Sequence, residues 1–194
     1  MKFQNRNKTI FSKKIPNLSE FIIKPLELNI HAKFIHEWVN RDYARFWQMQ
    51  GTSLEQVIAA YQKLQHLNDY QIYFGYFNEE PIFLLECYHP RNTVLAEKYQ
   101  VEESDYGMHI LIAPPERKIK SFTSYVFITV MEFIFCDKNI QRVVVEPDIR
   151  NEKIHTLNKK MGFVYEKKII LPEKEAYLAF CTREQFQKSL KMHK

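Results

Sequence analysis

Two side chains in the sequence can move or steer a proton, and one stretch between them is built to hold an anion. His109 lies in the strand-like run YGMHILI. A histidine, with an ordinary pKa of about 6.5, accepts a proton at neutral pH. Asp148 follows the β-branched run RVVVEP, where a carboxylate can orient a histidine or hold a substrate. Each residue also has a plain structural reading, as a partly buried hydrogen-bonded histidine and a helix-capping aspartate. In HILIAPPERKIKSFTSYVF a strand stops at Ala113-Pro114-Pro115, a short basic loop carries Lys118 and Lys120, and a hydrophobic helix starts near Ser121. N–H groups at a helix start have no intrahelical partner, and the helix dipole adds positive potential there. The backbone from Ile119 through Ser121 and Phe122 to Thr123 is therefore a candidate pyrophosphate cradle. The alternative is an ordinary connection whose lysines face solvent.

The elements that must position these groups follow from hydrophobic period and turn chemistry. Residues 21–28 predict a first strand, with Pro25 marking an edge or bulge. Residues 31–47 predict a helix with Ile35, Trp38 and Val39 on one face. Ser53 and Gln56 form a capping box before a second helix carrying Val57, Ile58, Tyr61 and Leu64. Residues 71–77 and 81–88 flank Asn78-Glu79-Glu80 and predict a hairpin. A strand over 106–112, an apolar helix over 121–136, a buried strand over 142–146 and a short helix over 152–161 follow. Gly162 ends that last helix as a C-cap. Strands near 163–171 and 175–180 and a helix from about Thr182 complete the order, which packs as a mixed sheet with helices on both faces.

Composition sets the outer limits. A chain of 194 residues, 45% hydrophobic and 26% charged, has the make-up of a globular protein able to bury a core without staples. The net charge of +5 gathers partly at the ends, and suits a polyanionic ligand as well as nucleic acid. Residues 1–18 read as a loosely held basic arm ahead of one domain over 19–194. Cys87, Cys136 and Cys181 are widely spaced, which argues against a disulfide framework or a zinc site and predicts no metal. The polar start and the lack of a membrane-length apolar run predict a cytoplasmic protein with no membrane partner. No stripe of basic residues interleaved with aromatics marks a nucleic-acid surface.

Three stretches resemble the GNAT acetyltransferases. Pro115, Lys118, Ser121 and Thr123 fall where that family has proline-x-x-[Arg/Gln]-x-x-Gly-x-[Gly/Ala], although neither family glycine is present. The strand RVVVE, then Asn151, a helix and Gly162-Phe163 resemble the family's later segment, with Asn158 where many members have a catalytic tyrosine. Asp105-Tyr106-Gly107-Met108-His109 and Glu146-Pro147-Asp148-Ile149-Arg150-Asn151 are similar to the DxGxH and EPDxRN contexts of the subfamily that acetylates hydroxylysine-type substrates in siderophore assembly. Trp38, Asn40, Phe46, Trp47 and Gln48 resemble that subfamily's Trp-x-Asn and Phe-Trp near the acceptor.

The resemblance implies an α/β GNAT fold whose two central strands splay apart to admit acetyl-CoA as co-substrate. It implies that backbone near Leu111 or Ile112 polarises the thioester carbonyl, that Lys118 to Thr123 and Asn151 hold the cofactor, and that His109 and Asp148 handle the proton. Trp38, Asn40, Trp47 and Gln48 would contact a small-molecule hydroxyamine, with Glu86 either facing the same pocket or facing solvent. Other siderophore-assembly enzymes are the implied partners. Two competing expectations remain: an aminoglycoside or polyamine N-acetyltransferase, and a non-catalytic module that binds acyl-CoA or RNA.

Overall fold

The computed structural model describes residues 9–16 and 18–192, and groups them into two compact units. One comprises the described residues up to Glu86 together with Ile110–Thr129, and the other comprises Cys87–His109 and the described residues from Val130 onward.

In the first unit, β1 (Phe11–Ile15) pairs antiparallel with β2 (Ser19–Pro25), which pairs antiparallel with β3 (Tyr70–Phe77). The basic arm expected over 1–18 is thus corrected where it is described: residues 11–15 are a strand. The lysine-rich look hid a period of two, which sinks Ile15 and half-buries Phe11 and Lys13 while Ser12 and Lys14 face out. Residues 1–8 lie outside the described set. Pro25 ends β2 beyond the last rung with β1, Phe11↔Ile23, so its missing N–H costs that pairing nothing.

Helix α1 (Leu28–Val39) buries His31, Ala32, Ile35, Trp38 and Val39. The continuous helix expected to residue 47 instead stops at Asn40, and Asp42–Trp47 is a separate 3-10 turn. Asn40 accounts for the break. Its amide donates to the carbonyls of His36 (2.8 Å) and Thr52 (3.2 Å), and its oxygen accepts from Gly51 N–H (2.7 Å). Helix α2 (Leu54–Gln65) starts with both halves of the Ser53–Gln56 capping box formed. It packs with α1 and β3 around Ile35, Trp38, Val57, Tyr61, Phe74 and Leu84. Strand β4 (Glu80–Tyr88) follows β3 through Asn78 and Glu79, both at positive φ (51° and 68°), the backbone a tight type I′ hairpin requires.

In the second unit, β5 (Asp105–Ile112) begins parallel to β6 (Arg142–Val145), over Asp105↔Arg142, Tyr106↔Val143 and Gly107↔Val144. One residue beyond that rung β6 ends at Val145, while β5 runs on to Ile112. Helix α3 (Phe122–Ile134), whose residues up to Thr129 belong to the first unit, precedes β6, and α4 (Glu152–Lys160) follows it. Next come β7 (Val164–Ile170), β8 (Glu175–Thr182) and α5 (Arg183–Met192). Strand β8 pairs antiparallel with both β6 and β7. The tight end of α4 depends on Gly162 at φ 93°, where a Cβ would lie 2.7 Å from the Gln185 carbonyl oxygen. The hydrogen-bonded order of strands is β1-β2-β3-β4-β5-β6-β8-β7, a mixed sheet flanked by helices.

Candidate active site

The start of β5 is held by an ion pair that fixes its register. Arg142 Nε donates to Asp105 Oδ1 (2.6 Å) and Nη2 to Oδ2 (2.9 Å), with the Tyr99 hydroxyl adding a third bond at 3.0 Å. Asp105, Gly107 and His109 alternate along β5, so their side-chain positions share one face. Gly107 is required there: a Cβ would come within 2.2 Å of the Tyr88 ring. The ring instead lies against the strand and reaches His109, with ring centroids 5.0 Å apart.

His109 Nε2 hydrogen-bonds Glu146 Oε1. The Tyr88 hydroxyl donates to Glu146 Oε2 at 3.1 Å and lies 3.3 Å from His109 Nε2. Lys174 Nζ stands 3.8 Å from Glu146 Oε1, carried there by a turn closed by Leu171 N–H on the Lys174 carbonyl (2.9 Å). The Glu146 side chain is 5% exposed and that of His109 36%, so the carboxylate sits behind the ring. Burial pushes the Glu146 carboxyl upward, but His109, Lys174 and the Tyr88 hydroxyl outweigh it and hold its pKa down at about 2. A buried carboxylate kept ionised beside an imidazole is an arrangement for stabilising that ring when it takes up a proton.

Glu146, Tyr88 and Lys174 were not singled out from sequence, whereas Asp148, expected to orient His109 or hold a substrate, pairs with Arg150. Arg150 occupies the Asp148 carboxylate, with Nε to Oδ1 at 2.8 Å, Nη2 to Oδ2 at 2.6 Å and the backbone N–H to Oδ1 at 2.9 Å. Those bonds to Arg150 are the main reason its pKa is lowered. Strand geometry explains the exchange: His109 and Glu146 are separated by 37 positions, the same offset as Asp105 and Arg142. Asp148 lies past that rung, bridged to Ala176. The legible signal was a glutamate ending a run of buried valines at the register of the histidine.

The expected cofactor residues fall into three settings. Lys118, Lys120, Ser121 and Thr123 are exposed, Ile119 is half-buried, and Phe122 is an anchor buried against Phe21 and Phe77 with centroids 5.8 and 5.4 Å away. Ser121 stands at positive φ (60°), and its carbonyl accepts Tyr125 N–H at 3.1 Å as α3 begins. Leu111 is buried in the core of the first unit and Ile112 half-buried. Asn151 caps α4, its side-chain oxygen accepting from Ile154 N–H at 3.4 Å.

The expected acceptor residues separate as well. Trp38 is a core residue stacked on Phe74 at 5.1 Å, and the Asn40 side chain is spent on the loop after α1. Gln48 is exposed at positive φ (63°). Trp47 and Glu86 do come together. Trp47 Nε1 donates to the Tyr61 hydroxyl (3.1 Å), which donates to Glu86 Oε1 (2.9 Å), while Tyr70 donates to Oε2 (2.6 Å). Glu86 is buried, so the solvent-facing alternative fails: β4 is covered on both faces, and alternation along it carries no information. Burial, then the Glu86 charge, pushes the Tyr61 hydroxyl far above its usual pKa, which keeps it a donor.

Asn158, at the position of the family tyrosine, is buried and donates to the Tyr165 hydroxyl at 3.1 Å, which also bonds His155 Nδ1 at 2.8 Å. No helix among the described residues is long and apolar enough to cross a membrane.

Comparison with known proteins agrees with this fold. The chain is 26% identical over 188 residues to an N-hydroxyputrescine acetyltransferase of Acinetobacter baumannii, covering 90% of this chain and 87% of that protein. Its fold is similar to that of an uncharacterized protein from Bacillus halodurans, with TM-score 0.86, 24% identity and coverage of 93% and 94%. It is also similar to the aminoglycoside acetyltransferase AAC(6')-Ib in complex with coenzyme A, with TM-score 0.76, 19% identity and coverage of 87% and 98%. The acetyltransferase (GNAT) domain family matches residues 27–171, and the chain belongs to that family of acyl-CoA-dependent acetyltransferases.

Proposed function

We propose that this acetyltransferase carries the acetyl group of acetyl-CoA to the hydroxylated nitrogen of a small aliphatic hydroxyamine. The product is a hydroxamate of the siderophore kind, made in the cytoplasm beside other siderophore-assembly enzymes. The observation that carries the reading is the His109–Glu146 pair, a base suited to an acceptor that arrives uncharged. The likeness to the hydroxyputrescine enzyme supports the acceptor class.

In the reaction the acceptor nitrogen's lone pair forms a bond to the thioester carbonyl carbon. The C–S bond breaks and its electron pair leaves on the CoA sulfur. The N–H proton passes to His109, and the resulting imidazolium returns a proton to the thiolate or to water. Lys118, Lys120 and the backbone of Ile119 to Thr123 hold the pyrophosphate in this reading, and the N–H at Leu111 or Ile112 polarises the carbonyl. Asn151 braces the cofactor side by capping α4. Trp47 and Glu86 serve the acceptor, a buried carboxylate beside aromatic rings being suited to an ammonium group. Trp38 and Asn40 brace the segment that carries Trp47 and Gln48, and Asp148 with Arg150 holds the turn that follows Glu146.

The same buried Glu86 favours a second reading, a parent polyamine or aminoglycoside as acceptor. A parent alkylamine arrives protonated and asks more of the base. A site that pairs with the hydroxyl also leaves polar groups unsatisfied when the parent amine binds, a penalty of about 1–3 kcal/mol. The test compares thiol release from acetyl-CoA with hydroxyputrescine, hydroxycadaverine and hydroxylysine against putrescine, cadaverine, lysine, spermidine and kanamycin. Hydroxylated acceptors should lead by at least about 10-fold in kcat/KM. Parity with a parent amine, or a lead for spermidine or kanamycin, selects the second reading.

A further inference from the structure

We propose that Glu146 is the positioning residue of the reaction, holding His109 in the tautomer that carries its proton on Nε2 and supplying the counter-charge when the ring takes up a second one. The proposal rests on the reading of His109 as the base. Three elements converge on this one carboxylate: His109 from β5, the Tyr88 hydroxyl from β4, and Lys174 from the turn between β7 and β8. Both oxygens are engaged, Oε1 by the ring and Oε2 by the phenol, so the carboxylate cannot rotate without losing a bond. A neutral imidazole that donates from Nε2 has its lone pair on Nδ1. The proton-accepting atom is therefore Nδ1.

The exposure of the ring and the burial of the carboxylate suit this role. Glu146 is 5% exposed and fixed by its neighbours, while the His109 ring is 36% exposed and so open to a proton donor. Lys174, itself 13% exposed, is a standing cation 3.8 Å from Oε1. The carboxylate charge is thus partly balanced while the ring is neutral, and His109 need not be protonated to keep Glu146 buried. Gly107 completes the device, since any side chain there would displace the Tyr88 ring that braces Oε2.

Nitrogen-15 NMR of the whole chain reads the tautomer without any substrate. In the wild type, above the ring's titration, His109 should show a protonated Nε2 and an unprotonated Nδ1. In Glu146→Gln that preference should weaken and the ring should titrate at lower pH. With an accepted acceptor, kcat should fall by about 10²–10³-fold while KM for acetyl-CoA stays within about 3-fold. The acid limb of the pH–rate profile should move to lower pH, because the imidazolium has lost its counter-charge; Tyr88 and Glu146 are titratable groups that touch the ring, and Lys174 stands beside Glu146. Tyr88→Phe, which keeps the His–Glu bond, should move the same limb less. A wild-type His109 with its proton on Nδ1, or a folded Glu146→Gln with unchanged tautomer and acid limb, overturns the proposal. If Glu146→Gln does not fold, the wild-type spectrum decides alone. Failure of every hydroxyamine to react would sink the acceptor reading and leave this measurement standing.

Discussion

Asp105 and Arg142 meet through two hydrogen bonds of 2.6 and 2.9 Å on the first rung of the parallel pair β5–β6. His109 and Glu146 repeat the same 37-residue offset farther along, so the ion pair sets the register in which the candidate base meets its carboxylate. A slip of one residue would send His109 to the opposite face of the sheet.

Arg142→Ala should therefore cost both stability and activity. It leaves the buried Asp105 carboxylate with its tyrosine and backbone donors but without its cation. Breaking such a pair typically costs about 3–5 kcal/mol, and partial exposure of the arginine brings the expectation to about 2–4 kcal/mol. Urea denaturation measures it. The double variant with Asp105→Ala should recover part of the loss, and a cost under about 1 kcal/mol would show that the register is held elsewhere.

His109→Ala should leave the fold in place with some loss of stability, because the buried Glu146 carboxylate keeps the Tyr88 hydroxyl and Lys174. Turnover should drop by about 10²–10⁴-fold, the usual contribution of a general base. Circular dichroism and thiol release on the same preparation check both halves. A stable variant with near-normal turnover would remove His109 from the mechanism.

Glu146 also makes stability depend on acid. Its folded pKa of about 2 lies below the ordinary 4.5. A depressed carboxyl stabilises the folded state above the unfolded pKa, and that contribution fades as pH falls toward the folded value. The urea midpoint of the wild type should thus decline between about pH 4.5 and pH 2 more steeply than that of Glu146→Gln. Parallel declines would mean that other carboxylates carry the acid sensitivity.

Much of this was legible in the sequence because local chemistry wrote it there. The Ser53–Gln56 box, the Asn78-Glu79 turn and the Gly162 cap each need particular residues at particular φ, and all three stand where those residues predict. His109 could be singled out because it lies in a strand of apolar neighbours and in the DxGxH context of the resembled subfamily. Its partner could not, because the choice between Glu146 and Asp148 depends on β-register, and register here is set by Asp105 and Arg142, far apart in the chain. Asn40 misled for a related reason: its side chain mimics backbone and ends a helix whose hydrophobic period continues past it. Alternation likewise said nothing about Glu86, since β4 is buried on both faces.

The loop before α3 offers the last prediction, because it holds strain at an exposed position. Ser121 adopts φ 60°, a conformation that costs a non-glycine residue about 1–2 kcal/mol, at the position where the GNAT pattern has glycine. Ser121→Gly removes that strain but adds freedom to the unfolded chain, worth about 0.4–1 kcal/mol in the other direction. The net should be a gain of roughly 0.5–1 kcal/mol, read as a raised urea midpoint with unchanged m-value. Phe122, buried against Phe21 and Phe77, keeps the helix start in place, so acetyl-CoA affinity should not fall. Lys118→Glu, by contrast, leaves the backbone alone and reverses one exposed charge. It should weaken acetyl-CoA binding by several-fold at low salt, and by less as salt screens the interaction. Calorimetric titration of both variants at two salt concentrations separates the effects. If Ser121→Gly destabilises, the serine hydroxyl is holding the turn; if Lys118→Glu binds acetyl-CoA normally at low salt, the pyrophosphate is held elsewhere.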